Sequence, residues 1–472
     1  MNEQLNHNQS AQKHGKNVLL ILTLAFSVLL SGVTVDMVTP VLGLIGNDLG
    51  ASEAQTSWIV GGVALVLAIA IPFYGRIADF VEARKLFTIG VLILTLGNLI
   101  AALATELNML VIGRMIQGAG MASVSVVSII VISRVYPPGQ RGIVLGIVAG
   151  SIGIGTAGGP IFGGLVGQWL GWKALFWITF TLGILIAISA QISMQKIYPL
   201  ESEKNKTFDV IGGISLGLMI GFFLLGITLS ENQGLTSYLT MVCLGVSFVA
   251  LVILTIRIRT ASNPFIPPIL LKNRAYVRSV LIIFLSMFAY FPILVFIPLL
   301  VVEVNGFSPG EAGMLLLPGG AAVAILSPII GRLSDRIKHE FLLIAGLLCM
   351  GGSTFFLSTF SGGSPITLSM GVLGSGIAYA LINSPANNFA VSTLNKEQVG
   401  VGMGLFQGAL FLGTGVGSAL MGTFLALRRK GENAINPIYD SHVPHYSDVF
   451  FALTVITMIA LVSTFRISKK IG

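Results

Sequence analysis

The sequence predicts an all-α polytopic membrane protein, and three observations carry that expectation. Of 472 residues, 54% are hydrophobic, only 10% are charged and 57 are glycine, with a mean hydropathy of +0.90; soluble domains carry about a quarter charged residues. Apolar runs of about 18 to 28 residues recur from end to end, each long enough for a hydrocarbon core about 30 Å thick. Lysine and arginine gather in alternate loops, the pattern left by membrane insertion. The runs are continuous rather than short and alternating, which selects helices over a β-barrel.

Fourteen spans are predicted, at about residues 17–45, 55–77, 85–105, 108–133, 141–168, 173–195, 209–230, 237–257, 277–302, 311–331, 339–360, 365–392, 399–427 and 447–466. The first is too long, and lacks the small-residue cleavage site, to be a removable signal peptide. Lys13 and Lys16 precede it, and Arg76, Arg84, Lys85, Arg134, Arg141, Lys196, Arg257, Arg332, Arg336 and Lys396 fall on the same side. The opposite loops carry acids, among them Asp48, Glu53, Glu106, Glu231, Glu303 and Glu311. Both termini are therefore expected in the cytoplasm, against the exceptions Lys173, Arg428, Arg429 and Lys430. The net charge of +8 reflects this bias and predicts no nucleic-acid partner. Cys243 and Cys349 each lie inside a span, the five histidines lack metal-ligand spacing, and no phosphate loop occurs. Neither an enzyme constellation, a cofactor nor a metal is expected.

An internal repeat organises the chain. GRIADFVEARKLF from Gly75 is echoed by GRLSDRIKHEFLL from Gly331, and QRGIVLGIVAG from Gln140 by QVGVGMGLFQG from Gln398. Two echoes at nearly one offset argue duplication, and repeated halves around a midplane site are a recurrent transporter plan. The expected division is a tail, 1–16; a six-helix bundle, 17–195; a linker, 196–208; two inserted helices, 209–257; a second linker, 258–276; a second six-helix bundle, 277–466; and a tail, 467–472.

The loop beginning at Gly75, with Asp79, Arg84 and Lys85, resembles the G-x-x-x-D-x-x-G-x-[RK]-[RK] pattern of the major facilitator superfamily, except that Glu82 stands where that family has glycine. The fourth span holds Arg114 followed by Q-G-x-G, and the fifth holds Gly155, Gly159, Pro160, Gly163 and Gly164 in the pattern G-x-x-x-G-P-x-x-G-G, both similar to patterns of that family. The span count resembles its fourteen-span drug and proton antiporter branch, which includes tetracycline and multidrug exporters. The resemblance covers essentially the whole chain and implies the major facilitator fold.

It also implies roles. Asp79 would cap a neighbouring helix and pair with Arg141 as a gate; Asp335 and Arg336 repeat it in the second half, where Val399 replaces Arg141 and the latch is expected to be weaker. The alternative is an ordinary charged turn. Asp36, one carboxylate in the apolar first span, would carry a proton, because burial disfavours its charged form; the alternative is a structural hydrogen bond. Arg114 would tune it, or else snorkel to the interface. The Gly155 to Gly164 segment would be a hinge or seal between the halves. Tyr290, Asn383, Asn387 and Gln407 are polar at depth and are candidate substrate contacts, with packing as the alternative. The expectation is efflux of hydrophobic or cationic drugs by proton antiport from a bacterial inner membrane, by a functional monomer whose partners are drug, protons and lipid bilayer. Uptake or exchange of a metabolite or metal chelate, and a non-transporting sensor, are the other readings.

Overall fold

A computed structural model describes residues 2–51, 53–56, 58–137, 139–198, 208–234, 236–307, 309–429, 433–440 and 442–468. Most of the predicted 196–208 linker, and the end of the C-terminal tail, lie outside the described residues. Those described form helices and connecting turns, with no strand. Fourteen helical segments are long and apolar enough to cross a membrane. The spanning helices are α1 (Asn2–Asp36), α2 (Trp58–Ile77), α3 (Ala83–Ala102), α4 (Leu107–Val135), α5 (Arg141–Leu170), α6 (Trp172–Ser193), α7 (Val210–Gln233), α8 (Tyr238–Thr260), α9 (Arg274–Asn305), α10 (Leu317–Ser334), α11 (His339–Thr359), α12 (Pro365–Ser392), α13 (Val399–Arg428) and α14 (Pro444–Ser468).

The first span is not one helix, as the sequence had led us to expect. It stops at Asp36, passes through a turn and a short 3-10 segment at Thr39–Val41, and resumes as a separate helix at Leu42–Leu49. Pro40 accounts for the break, since a proline inside a helix removes one backbone donor and clashes with the preceding turn.

Helices α1 to α6 pack into one bundle and α9 to α14 into a second, with the pair α7 and α8 inserted between them in the chain. The two bundles touch along α2 with α13 and along α5 with α10. These seams are pseudo-equivalent, and at one end of the molecule both depend on glycine. A Cβ on Gly75 would overlap the backbone of Gly404, and a Cβ on Gly331 would overlap the carbonyl of Gly142. The bundles are thus in backbone contact at the end that carries the duplicated loops, here termed the loop end.

The inserted pair is anchored at its base. The Asp209 carboxylate caps α7 by accepting from Gly212 N–H at 3.0 Å, and also accepts from Arg257 at 2.7 Å and from Phe265 N–H at 3.1 Å. Burial alone would push this carboxyl up, but the bonds from Gly212, Arg257 and Phe265 outweigh it and hold it below the ordinary aspartate range. At the other end of the molecule, two of the basic residues that break the loop pattern are ion-paired. Arg428 meets Asp448 at 2.6 Å and Arg429 meets Glu303 at 3.2 Å, Lys173 sits over the Trp172 ring, and Lys430 lies outside the described residues.

Because Asp209 is held low in the folded chain, its stabilising effect is fully present at neutral pH and is lost only as pH falls through that depressed value. Asp209→Ala is expected to lower stability at neutral pH by about 1–3 kcal/mol, the scale of hydrogen bonds to a charged group. Thermal unfolding in detergent measures it, and the difference from the parent should shrink on acidification.

Candidate functional site

A cavity of about 190 Å³ lies between the two bundles. Its wall is mostly apolar, with Met287, Phe291, Leu294 and Phe411 from the second half facing Val28, Leu67, Met121 and Ile129 from the first. Among the described lining residues Asp36 is the only charged one. Tyr290, Asn383, Asn387 and Gln407 all line the same space, so the polar residues singled out at depth share one cavity with the carboxylate.

The geometry around Asp36 follows from the break in α1. A helix end leaves its last carbonyls without intrahelical partners, a cost when they are buried. Arg114, fully buried on α4, fills that role. Its guanidinium donates to the carbonyls of Thr34 at 2.7 Å and Val35 at 3.2 Å, and to Ile59 at 3.0 Å on the next helix. A positive group at a helix C-terminus is also favoured by the helix dipole. Arg114 therefore does not snorkel to the interface, and the described ion pairs include none between it and Asp36. It fixes the backbone that carries the acid. The Thr156 hydroxyl faces the carboxyl from α5.

Arg114 is held in turn by a buried polar chain. It donates to Gln117 at 2.8 Å, Gln117 donates to Asn98 at 2.8 Å, and the Thr179 hydroxyl donates to Asn98 at 2.6 Å, joining α4, α3 and α6. Asn98 and Thr179 were not expected from sequence. Gln117 lies three residues after Arg114, on the same helix face, and could have been read from that spacing.

The glycines of the fifth span have a different place from the expected hinge between halves. Gly155, Gly159 and Gly163 seat α1 of their own half: a Cβ on Gly159 would come within 3.1 Å of the Asp36 Cβ, and one on Gly163 would overlap the Met37 carbonyl. Pro160 and Gly164 lie in the same segment of α5, with Gly164 nearest Pro40. The contact of α5 with the second half is made by the glycines before this segment, from Gly142 and Gly146 through Gly150 to Gly153, which packs on Val323 of α10.

The loop acids also rearrange the expected pairs. Asp79 is met by Arg76 at 3.3 Å and Arg134 at 3.7 Å, and its carboxylate lies against Gly400 at the start of α13. Arg141, expected opposite Asp79, instead donates to the Ser133 carbonyl at 3.2 Å and is faced by Asp335. Asp335 accepts from Gly142 N–H at 3.0 Å with both oxygens and from the Asn388 amide at 3.2 Å. Each loop acid thus reaches the first turn of a helix in the opposite half. In the second copy a buried asparagine and the α5 N-terminus stand where the first has arginines. Arg84 and Lys85 turn back on Glu82, at 3.4 and 3.9 Å, and Arg336 is exposed. Glu82, the departure from the loop pattern, is buried and occupied by these cations.

In the second half Tyr290 and Tyr379 stack with centroids 4.7 Å apart, the Asn383 amide donates to the Tyr379 hydroxyl at 3.1 Å, and Asn387 donates to the Asn383 carbonyl at 2.9 Å. The side-chain oxygens of Asn387 and Gln407 have no hydrogen-bond partner among the described residues. Buried acceptors without partners are rare in a folded interior and are expected where a ligand completes them.

The family model described as Major Facilitator Superfamily matches residues 24–418. Multidrug resistance protein Stp of Mycobacterium tuberculosis is 29% identical over 407 residues, covering 85% of this chain and 74% of that protein. The tetracenomycin C resistance and export protein of Streptomyces glaucescens is 26% identical over 425 residues, covering 89% and 78%, and the riboflavin transporter RibZ of Clostridioides difficile is 25% identical, covering 87% and 88%. The crystal structure of human organic anion transporter MFSD10 shares the fold at a TM-score of 0.68 and 13% identity, covering 94% of this chain and 99% of that one.

Two outcomes follow from these contacts. Arg114→Lys, which replaces a five-donor fork by one ammonium, cannot serve Thr34, Val35, Ile59 and Gln117 together; a loss of about 1–3 kcal/mol is expected in thermal unfolding. Gly75→Leu should keep the loop end apart without disrupting either bundle. In a background lacking Cys243 and Cys349, a cysteine at Leu145, a buried residue of the cavity wall, should then be labelled several-fold faster by a soluble maleimide.

Proposed function

The chain belongs to the major facilitator superfamily and is a multi-pass membrane transporter rather than an enzyme, and we propose that it exports hydrophobic, cationic drugs in exchange for protons. One observation carries this reading: a single carboxylate, Asp36, in a cavity whose other lining residues are uncharged and largely apolar or aromatic. A cation entering such a space finds one counter-ion, and so does a proton. Occupancy by either removes the charge that attracts the other, which is the competition that exchange requires.

In the proposed cycle the loop end faces the cytoplasm, as do both termini. With that end closed, a proton reaches Asp36 from outside and releases the drug. Asp79 and Asp335 hold the closed arrangement through the helix ends they meet, and the bundles rock when these contacts break. Facing inward, Asp36 loses its proton to the cytoplasm and takes up the next cation. Arg114 keeps the acid in register by holding the broken end of α1. Tyr290, Tyr379 and Phe411 offer aromatic faces to a cation, while Asn387 and Gln407 accept hydrogen bonds from polar groups on the drug. The working unit is one chain in the inner membrane of a bacterium.

The multidrug resistance in the name of the mycobacterial relative and the resistance and export in that of the streptomycete one support this reading. The riboflavin transporter among the relatives favours a second one, uptake or exchange of a metabolite. The absence of lysine and arginine among the described cavity-lining residues speaks against an anionic cargo.

Inverted membrane vesicles separate the two. An imposed inside-acid gradient should drive accumulation of a lipophilic cation such as ethidium, and Asp36→Asn should abolish that accumulation while the protein still inserts. Undiminished gradient-driven accumulation by Asp36→Asn would remove the coupling role, and accumulation by whole cells instead of vesicles would favour uptake.

A further inference from the structure

The segment between α8 and α9 is fixed to both halves beside the loop-end contacts. At its start it holds the first half. Asn263 accepts from Arg76 at 2.9 Å, the same arginine that meets Asp79. Two residues on, Phe265 is almost fully buried, with its ring against Phe73 of α2 at 5.3 Å and its N–H on Asp209 at 3.1 Å. At its end it holds the second half. Leu270 is fully buried beside Val401 of α13, and the Asn273 amide donates to the Thr393 carbonyl at the end of α12 at 2.8 Å. Next to it, the Tyr276 hydroxyl donates to the Gly402 carbonyl at 2.7 Å.

Between the last first-half anchor, Phe265, and the first second-half anchor, Leu270, the chain reads Ile266, Pro267, Pro268, Ile269. Two consecutive prolines restrict the backbone here, Pro267 in extended geometry and Pro268 opening a short helical turn, Pro268–Lys272. From Phe265 to Leu270 a fully extended chain reaches at most about 17 Å. We propose that this prolyl strap is a tether that limits how far the halves separate at the loop end, and that Asn263 is a positioning residue that ties it to the Arg76 and Asp79 gate. The inserted helices α7 and α8 then have a mechanical role. Their base, through Asp209 and Arg257, is the socket in which the first-half end of the tether is seated. The inference does not depend on which solute is carried.

Distances between spin labels test it. Ile89 on α3 and Phe341 on α11 are exposed near the loop end of opposite halves, and labels there report its opening in the full-length protein without native cysteines. Inserting Gly-Ser-Gly-Ser between Pro267 and Pro268 should extend the longest populated distance, by up to about 13 Å. The same insertion between Gly362 and Gly363, in a turn joining two helices of one bundle, should leave it unchanged and controls for folding. The double variant Asn263→Ala/Asn273→Ala keeps the chain length but weakens both anchors, and should lengthen the distance by a smaller amount. If the strap insertion fails to fold, that variant carries the test. A longest distance equal to the parent's in whichever of these two variants folds overturns the proposal.

Discussion

The hydrogen bonds from Arg114 to the end of α1 are the constraint on which the rest of the site depends. A transmembrane helix that stops at Asp36 exposes carbonyls where no water is at hand to receive them. The guanidinium supplies donors to two of these carbonyls and one on α2, and the Gln117, Asn98 and Thr179 chain fixes the guanidinium. Without that support the break would have to close or collapse, and the acid would leave the cavity wall. Cavity, carboxylate and helix break are therefore one feature seen from three sides.

Duplication explains the rest of the architecture and also where it departs from symmetry. Both loop acids reach the first turn of a helix in the other half, although Asp79 is met by Arg76 and Arg134 while Asp335 accepts from Gly142 N–H and Asn388 and is faced by Arg141. Equivalent position has been kept while partner chemistry has changed. The inserted pair breaks the symmetry more strongly, because α7 covers the α2 and α13 side and, among the described residues, no inserted helix covers α5 and α10 in the same way.

Much of this was legible in the sequence, because bilayer thickness and loop charge constrain a membrane chain more tightly than solvent constrains a soluble one. The spans and the repeat follow from hydropathy and spacing, and Tyr290, Asn383, Asn387 and Gln407 were found because a polar residue at depth needs a reason. Three things were not legible. The break in α1 was hidden by unbroken hydropathy, although Pro40 marked it. The partner of Arg141 was misassigned because sequence spacing orders residues within a half, whereas Asp335 approaches from the other. The glycines of the fifth span were assigned to a hinge because GxxxG spacing signals close approach without saying to which helix.

Those glycines make α5 a lever. Gly142 and Gly146 bear on the second half near one end and Gly150 and Gly153 continue that contact along the rod; about 9 Å further on, Gly159 bears on Asp36. A helix this closely seated on both faces cannot slip at one contact without transmitting the displacement to the other. The helix that closes against the second half at the loop end is thus the same one on which the acid rests.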